Sequence, residues 1–121
     1  MAAMEGATFG LRYAVDLMGE LGARPGQVRL VGGGSRSAVW RQIVADVLEC
    51  EVVCPACPEA AALGAALQAA CCATGADIRV LCSRHVRLDG EKAVPIPENV
   101  EVYRRLYREY CKVEKTIAEA N

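Results

Sequence analysis

Three consecutive glycines, Gly32, Gly33 and Gly34, separate a short apolar run from a helical pattern, and that juncture restricts the folds open to the chain. Val28 to Val31 reads as a buried strand entering a tight loop. Beyond the loop, Val39, Trp40, Ile43, Val44, Val47 and Leu48 recur at helical spacing, with Arg41, Gln42, Asp46 and Glu49 on the other side. Glu51 to Cys54 is a second brief strand, closed by Pro55 and Pro58. Glu59 then opens a helix that runs to Thr74 and ends at Gly75. Two apolar strands joined by a helical crossover imply a parallel pair within an α/β sheet.

The helix after Glu59 constrains the chain differently. Ala60, Ala61, Ala62, Leu63, Gly64, Ala65, Ala66, Leu67, Ala69 and Ala70 leave it apolar nearly all round. A helix without a polar face needs cover on most sides, and two short strands with two amphipathic helices look insufficient to supply it. The chain therefore reads as part of something larger. Upstream, Leu11, Ala14, Val15, Met18 and Leu21 form the apolar stripe expected of a first helix, stopped by Gly22 and the Arg24-Pro25-Gly26 turn. Downstream, Ile78, Leu81 and Cys82 continue as a short helix, and Val86 to Val94 reads as an extended or hairpin segment around Asp89-Gly90. After the stiff Pro95-Ile96-Pro97 connector, Tyr103, Leu106, Tyr107, Tyr110, Val113 and Ile117 make one stripe of a last helix, expected to serve core or domain docking.

Composition narrows the function classes. With 121 residues the chain is one domain or a piece of one, and 53% hydrophobic content excludes a disordered tail. Fourteen Lys+Arg against fifteen Asp+Glu leave a formal charge of −1, so no broad basic field holds nucleic acid or anionic lipid. The nearly apolar run Ala60 to Ala73 is shorter than the ~20 residues of a membrane span and is broken by Gln68. Met1 to Gly10 lacks the basic start and apolar core of a signal peptide, so a cytoplasmic protein is expected.

Seven cysteines, an odd count, read as reduced thiols acting as small hydrophobes. Cys54 and Cys57 form a CxxC that Cys71, Cys72 and His85 could extend toward zinc, but adjacent helical residues point about 100° apart, so Cys71 and Cys72 do not easily face one metal. A redox role for that CxxC would require a helix N-terminus, which Pro58-Glu59 permits.

The stretch Gly32-Gly33-Gly34-Ser35-Arg36-Ser37 carries the clearest chemistry. Glycines let a ligand approach the backbone, and the N–H groups and dipole of the following helix favour a phosphate. Ser35 or Ser37 either caps that helix or donates a hydroxyl to a nucleotide. Two specific nucleotide motifs fail. A P-loop ends in Gly-Lys-Ser/Thr, and no lysine precedes Lys92. A dinucleotide fingerprint requires a third glycine where Ser37 stands and an acidic residue closing the second strand, which here ends at Cys54-Pro55.

The wider string Val28 to Leu48 closely resembles the C-terminal signature of the FGGY carbohydrate kinases. Glu59 to Ala70 is similar to the helix that follows it there, and Glu5-Gly6-Ala7-Thr8-Phe9 to the helix before it. The ending, Pro95 to Tyr110, is most similar to that of the xylulokinases within the family. The resemblance implies an α/β fold, the C-terminal part of an actin-like, hexokinase-type (ribonuclease H-like) ATPase domain. An approximate core would span residues 5–75, followed by an extension and helix over 76–121. It implies transfer of the γ-phosphate of ATP, with Mg2+, to a sugar hydroxyl, here that of D-xylulose. Gly32, Gly33 and Gly34 would border the adenosine and α-phosphate, with Ser35 and Ser37 in the stretch lining the nucleotide. Leu63, Gly64 and Ala65 resemble the second interdomain connector. The family's first phosphate loop, most sugar contacts and the catalytic aspartate have no counterpart here. Asp16, Asp46, Asp77 and Asp89 show no pairing that suggests a general base, so no catalytic residue is expected. The expectation is a chain inactive alone, lacking its N-terminal lobe, with a homodimer as an admissible assembly. The competing class is a non-catalytic nucleotide-binding or regulatory module.

Overall fold

The computed structural model describes residues 1–57 and 59–119. Pro58, expected to help close the second strand, lies outside them. The order is α1 (Ala2–Glu20), β1 (Gln27–Arg29), a 3-10 turn (Gly33–Arg36), α2 (Ala38–Leu48), β2 (Glu51–Pro55), α3 (Ala60–Thr74), α4 (Ile78–His85), β3 (Leu88–Ala93) and α5 (Pro97–Glu119). The strands lie in the order β1-β2-β3. β1 and β2 are parallel, as the crossover demands, with Val28 opposite Val52. Of the two forms expected for Val86 to Val94, extended or hairpin, the extended one is found: a single strand, β3, antiparallel to β2. It runs on through Asp89-Gly90, where Gly90 takes φ +85° and the Asp89 carboxylate accepts the Glu91 N–H at 2.9 Å. The pairing register shifts opposite this point, between Val53 and Pro55, as at a bulge.

The buried strand is β2, not β1. Val52, Val53 and Cys54 are buried, whereas Gln27 and Arg29 are exposed and Val31 is 52% exposed. The reason is position, since β1 is the edge of the described sheet and has cover from β2 on one side only.

Helix α2 lies at the centre, with Ile43 through Val47 all buried. On one side Val44 and Ala45 join Val52 and Ala93 of the sheet. On the other, Ile43 and Val47 join Phe9 of α1. Tyr103, Tyr107 and Tyr110 of α5 close around Phe9, with ring centroids 6.2, 5.8 and 5.5 Å away. These three tyrosines are core, as their stripe predicts, but Leu106, Val113 and Ile117 of the same stripe are exposed. In α1 the expected apolar face is overturned. Thr8 and Phe9 are buried, while Leu11, Met18 and Leu21 are exposed, Leu21 to 88%. The inward face is chosen by Phe9 meeting the tyrosines and by Arg12 reaching the Val47 carbonyl at the end of α2.

Helix α3 ends at Gly75 as expected, with Gly75 in the left-handed conformation. Leu67 is its one buried residue among those described. The molecule exposes 8180 Å2, whereas a folded monomer of this mass exposes roughly 6,300 Å2.

Two carboxylates tie the helices together. Asp46, 2% exposed, accepts from the Gln42 side chain at 2.8 Å, the Ile96 N–H at 2.8 Å and the Asn99 side chain at 2.9 Å. It therefore sits at the positive end of α5, where the N–H groups lack helical partners. Glu49 ends α2 in the left-handed conformation (φ 57°). Arg104 of α5 and Arg12 of α1 both donate to its carboxylate. These bonds, those from Arg104 first, hold its pKa below the usual carboxylate value against the opposing effect of burial.

Asp46→Ala strands the Ile96 N–H and the Asn99 amide, and is expected to lower stability by about 2–4 kcal/mol in urea unfolding. A change under half of that would remove Asp46 as the anchor of α5. The lowered Glu49 pKa sets a pH dependence. Its contribution is complete above the ordinary carboxylate range and is lost as pH falls through the lowered folded value. Unfolding midpoints measured from neutral to acid pH should decline less steeply in Glu49→Gln than in the parent chain.

Candidate functional site

The glycine loop runs from the end of β1 into α2. Gly32 takes φ +86° and ψ −175°, a backbone conformation that side chains resist. Its carbonyl accepts both the Ser35 N–H at 3.1 Å and the Ser35 hydroxyl at 2.7 Å, closing the 3-10 turn. The Ser37 N–H donates to the Gly34 carbonyl at 3.0 Å, and the Ser37 hydroxyl oxygen accepts the Trp40 N–H at 3.3 Å. Of the two roles left open for the serines, Ser37 thus takes the N-cap of α2, and Ser35 spends its hydroxyl hydrogen inside the turn.

Two of the three glycines have a cause within the chain. Gly32 is required by its positive φ. Gly34 is required by Trp40, because a β-carbon there would stand 2.2 Å from an atom of the indole ring. Gly33 is required by neither: its φ is not positive, and a β-carbon would meet nothing within 4 Å. The chain itself gives Gly33 no reason to lack a side chain. Open space above an exposed glycine, beside a helix N-terminus, is where a ligand can lie against backbone.

Trp40 supports this loop from beneath. Its indole N–H donates to the Thr8 hydroxyl at 3.2 Å, and that hydroxyl donates to the Met4 carbonyl at 2.7 Å. The loop is thereby braced against α1. Neither Trp40 nor Arg41, which donates to the Ser35 carbonyl, stands out as a site residue from periodicity. The available signal was the single tryptophan of the chain close behind a triglycine.

Other candidates are structurally engaged. Asp16 pairs with Arg12, Asp77 caps α4, and Asp89 and Asp46 hold backbone as described. Cys54 is buried in β2, and burial pushes its thiol pKa up, away from the reactive thiolate. All seven cysteines are free thiols. Among the described residues no group of three or more His, Cys, Asp or Glu side chains is placed to hold a metal. No helix of the described residues is long and apolar enough to cross a membrane. A concavity of about 510 Å3 lies away from the glycine loop, between α1 and the end of α2, lined by Arg12, Asp16, Glu20, Arg24 and Glu49 among others. Within it Arg12 pairs with both Asp16 and Glu49.

Comparison with known proteins bears on the same loop. The profile of the FGGY family of carbohydrate kinases, C-terminal domain, matches residues 1–73. The chain is 44% identical over 110 residues to a xylulose kinase of Haemophilus influenzae, covering 90% of this chain and 22% of that protein. It is 33% identical over 118 residues to a ribulokinase of Anoxybacillus flavithermus, covering 93% of this chain and 21% of that protein. The crystal structure of xylulose kinase from Rhodospirillum rubrum superimposes with a TM-score of 0.78 at 34% identity, over 96% of this chain and 24% of that one. The chain thus spans about a fifth of the length of the curated relatives it matches. The matched region contains α1, β1, the glycine loop, α2, β2 and nearly all of α3, the elements on which the loop is built. The chain belongs to the FGGY family of carbohydrate kinases, within whose C-terminal domain this strand, glycine loop and helix fall.

Proposed function

We propose that the chain is the nucleotide-binding C-terminal portion of an ATP-dependent sugar kinase that phosphorylates D-xylulose to xylulose 5-phosphate. The observation that carries the nucleotide assignment is the place of Gly33, an exposed glycine with open space above it in the turn that leads into the N-terminus of α2. On this reading Gly32, Gly33 and Gly34 border the adenosine and α-phosphate, and Ser35 and Ser37 shape the wall of the nucleotide site. The first N–H groups of α2 face negative charge favourably. Mg2+ enters with the nucleotide's phosphates, its remaining ligands coming from outside the described residues. The choice of xylulose over ribulose follows the higher identity to the Haemophilus influenzae xylulose kinase, 44% against 33% for the ribulokinase.

On this reading residues 5–75 carry the nucleotide loop and the elements it is built on, and 76–121 are a C-terminal extension that supplies Ala93 and the α5 tyrosines to the same core. The first phosphate loop and most sugar contacts belong to the N-terminal lobe, the partner against which the bare faces of α1 and α3 fit, and the catalytic aspartate and second phosphate loop lie between that lobe and this portion. Phosphoryl transfer needs those parts assembled around the γ-phosphate, so the chain alone binds nucleotide without turning it over. A cytoplasmic setting accords with seven free thiols and with ATP as substrate.

Because Gly34 lies on Trp40, emission from this single tryptophan reports the state of the loop. Titration of the chain with ADP or ATP is expected to change that emission saturably. Gly33→Val should weaken binding about tenfold or more while changing stability by less than about 1 kcal/mol, since its side chain enters open space. Gly34→Ala should instead lose about 1–3 kcal/mol of stability by overpacking the indole. Unaltered nucleotide affinity in Gly33→Val would remove the loop as the site. Xylulose phosphorylation by the isolated chain would overturn the assignment of catalysis to parts outside this chain.

A further inference from the structure

The 3-10 turn of the glycine loop is held by a side chain of α2, which is itself paired with one from β3. Arg41 lies in the first turn of α2 with its side chain only 12% exposed. Its Nη1 donates to the Ser35 carbonyl at 2.6 Å. Its Nη2 pairs with the Glu91 carboxylate on β3. The Cys54 thiol of β2 approaches the same Ser35 carbonyl at 3.8 Å. Ser35 is therefore gripped from the helix that follows it and from the sheet beneath. Turns of this kind have poor internal hydrogen-bond geometry and short lengths, so an outside restraint decides how well they keep their shape. A guanidinium on a carbonyl is a charge-assisted bond, stronger than the bonds within the turn.

We propose that Arg41, aimed by Glu91, is a positioning residue for the nucleotide loop, fixing through the Ser35 carbonyl the shape against which the nucleotide lies. This rests on the nucleotide assignment above. The charge of Arg41 is largely answered by Glu91, so its role is geometric. That gives the proposal a sign that plain electrostatics does not share. Were Arg41 only a nearby positive charge, deleting Glu91 would leave the site more positive and tighten the binding of a phosphate-bearing ligand. If Glu91 aims Arg41, the same deletion lets the guanidinium leave Ser35 and weakens binding.

The test uses the full chain with ADP as probe, calorimetric titration for affinity and Trp40 emission for the loop. Glu91 is 65% exposed, so Glu91→Ala removes the carboxylate with little burden on the fold. Expected for both Glu91→Ala and Arg41→Met is ADP binding weaker by about five- to tenfold. Also expected is ligand-free Trp40 emission shifted to longer wavelength, as the loop loosens above the indole. A residue that merely stabilised the fold would lower the melting temperature and leave the native emission unmoved. Equal or tighter ADP binding by Glu91→Ala, or unshifted emission in both variants, overturns the proposal while the nucleotide assignment stands. Failure of the parent chain to bind ADP overturns both.

Discussion

Helix α2 is the interaction centre on which the remaining structure depends. Five consecutive positions, Ile43 to Val47, are buried, so every side of the helix middle must be covered by something. The sheet covers one side and the α1–α5 pair the other, and Trp40 and Leu48 reach into both clusters. A helix enclosed in this way cannot carry an unpaired polar group without a cost of a few kcal/mol, about 1–3 for each unmet hydrogen bond. Asp46 is the buried exception, and its partners are the backbone and side chain at the start of α5. The position of α5 thus follows from satisfying α2, and the closing of the tyrosines on Phe9 follows from the position of α5.

The glycine loop inherits this rigidity because it opens directly into α2. At that junction the largest side-chain type lies against the smallest residue: the Trp40 ring occupies the space that a side chain on Gly34 would need. The indole N–H, which burial would otherwise leave unmet, is taken by Thr8, itself fully buried. The loop is therefore shaped on its inner side by packing and on its outer side is free, and the boundary between the two runs between Gly34 and Gly33. By contrast α3 is held to the molecule through Leu67 and its contact with α4, and presents alanines and Gly64 to solvent.

What was legible in the sequence was local. The alternation from Val28 to Gly75 fixed β1, α2, β2 and α3 and their parallel crossover, because each is written in neighbouring residues and glycine or proline stops. Helix α1 was also legible, but not its inward face. Leu11, Met18 and Leu21 form a stripe as apolar as a core stripe, and only Phe9 meeting tyrosines some hundred residues on decides against it. The burial of β1 was misjudged for a related reason, since apolar content does not reveal whether a strand lies at an edge. In the candidate site, the glycines and the Ser37 cap could be read from their spacing. The bonds of Arg41 to Glu91 and of Asp46 to Ile96 join residues 50 positions apart, and no periodicity carries that information.

The two halves of this description, a firm loop and bare faces, bear on one another under the proposed function. A nucleotide lying on Gly33 touches protein on one side and water on the other, so the dipole of α2 and nearby charges act through solvent and are weakened by it. Phosphoryl transfer requires the opposite condition, with charge stabilised in a closed site by groups fixed beforehand. Closing such a site needs a second body seated against this one. The faces available to seat it are those left bare by the fold: the free edge of β1, the Leu11–Met18–Leu21 stripe and the alanine surface of α3. Small residues on α3 allow close approach of another backbone without long side chains locking it in place. A surface that docks a lobe closely but without interdigitation is one along which that lobe can move. Under the proposed function the arrangement would therefore separate two requirements within one chain: α2 and Trp40 would hold the loop still, and α3 would leave a docked lobe free to close.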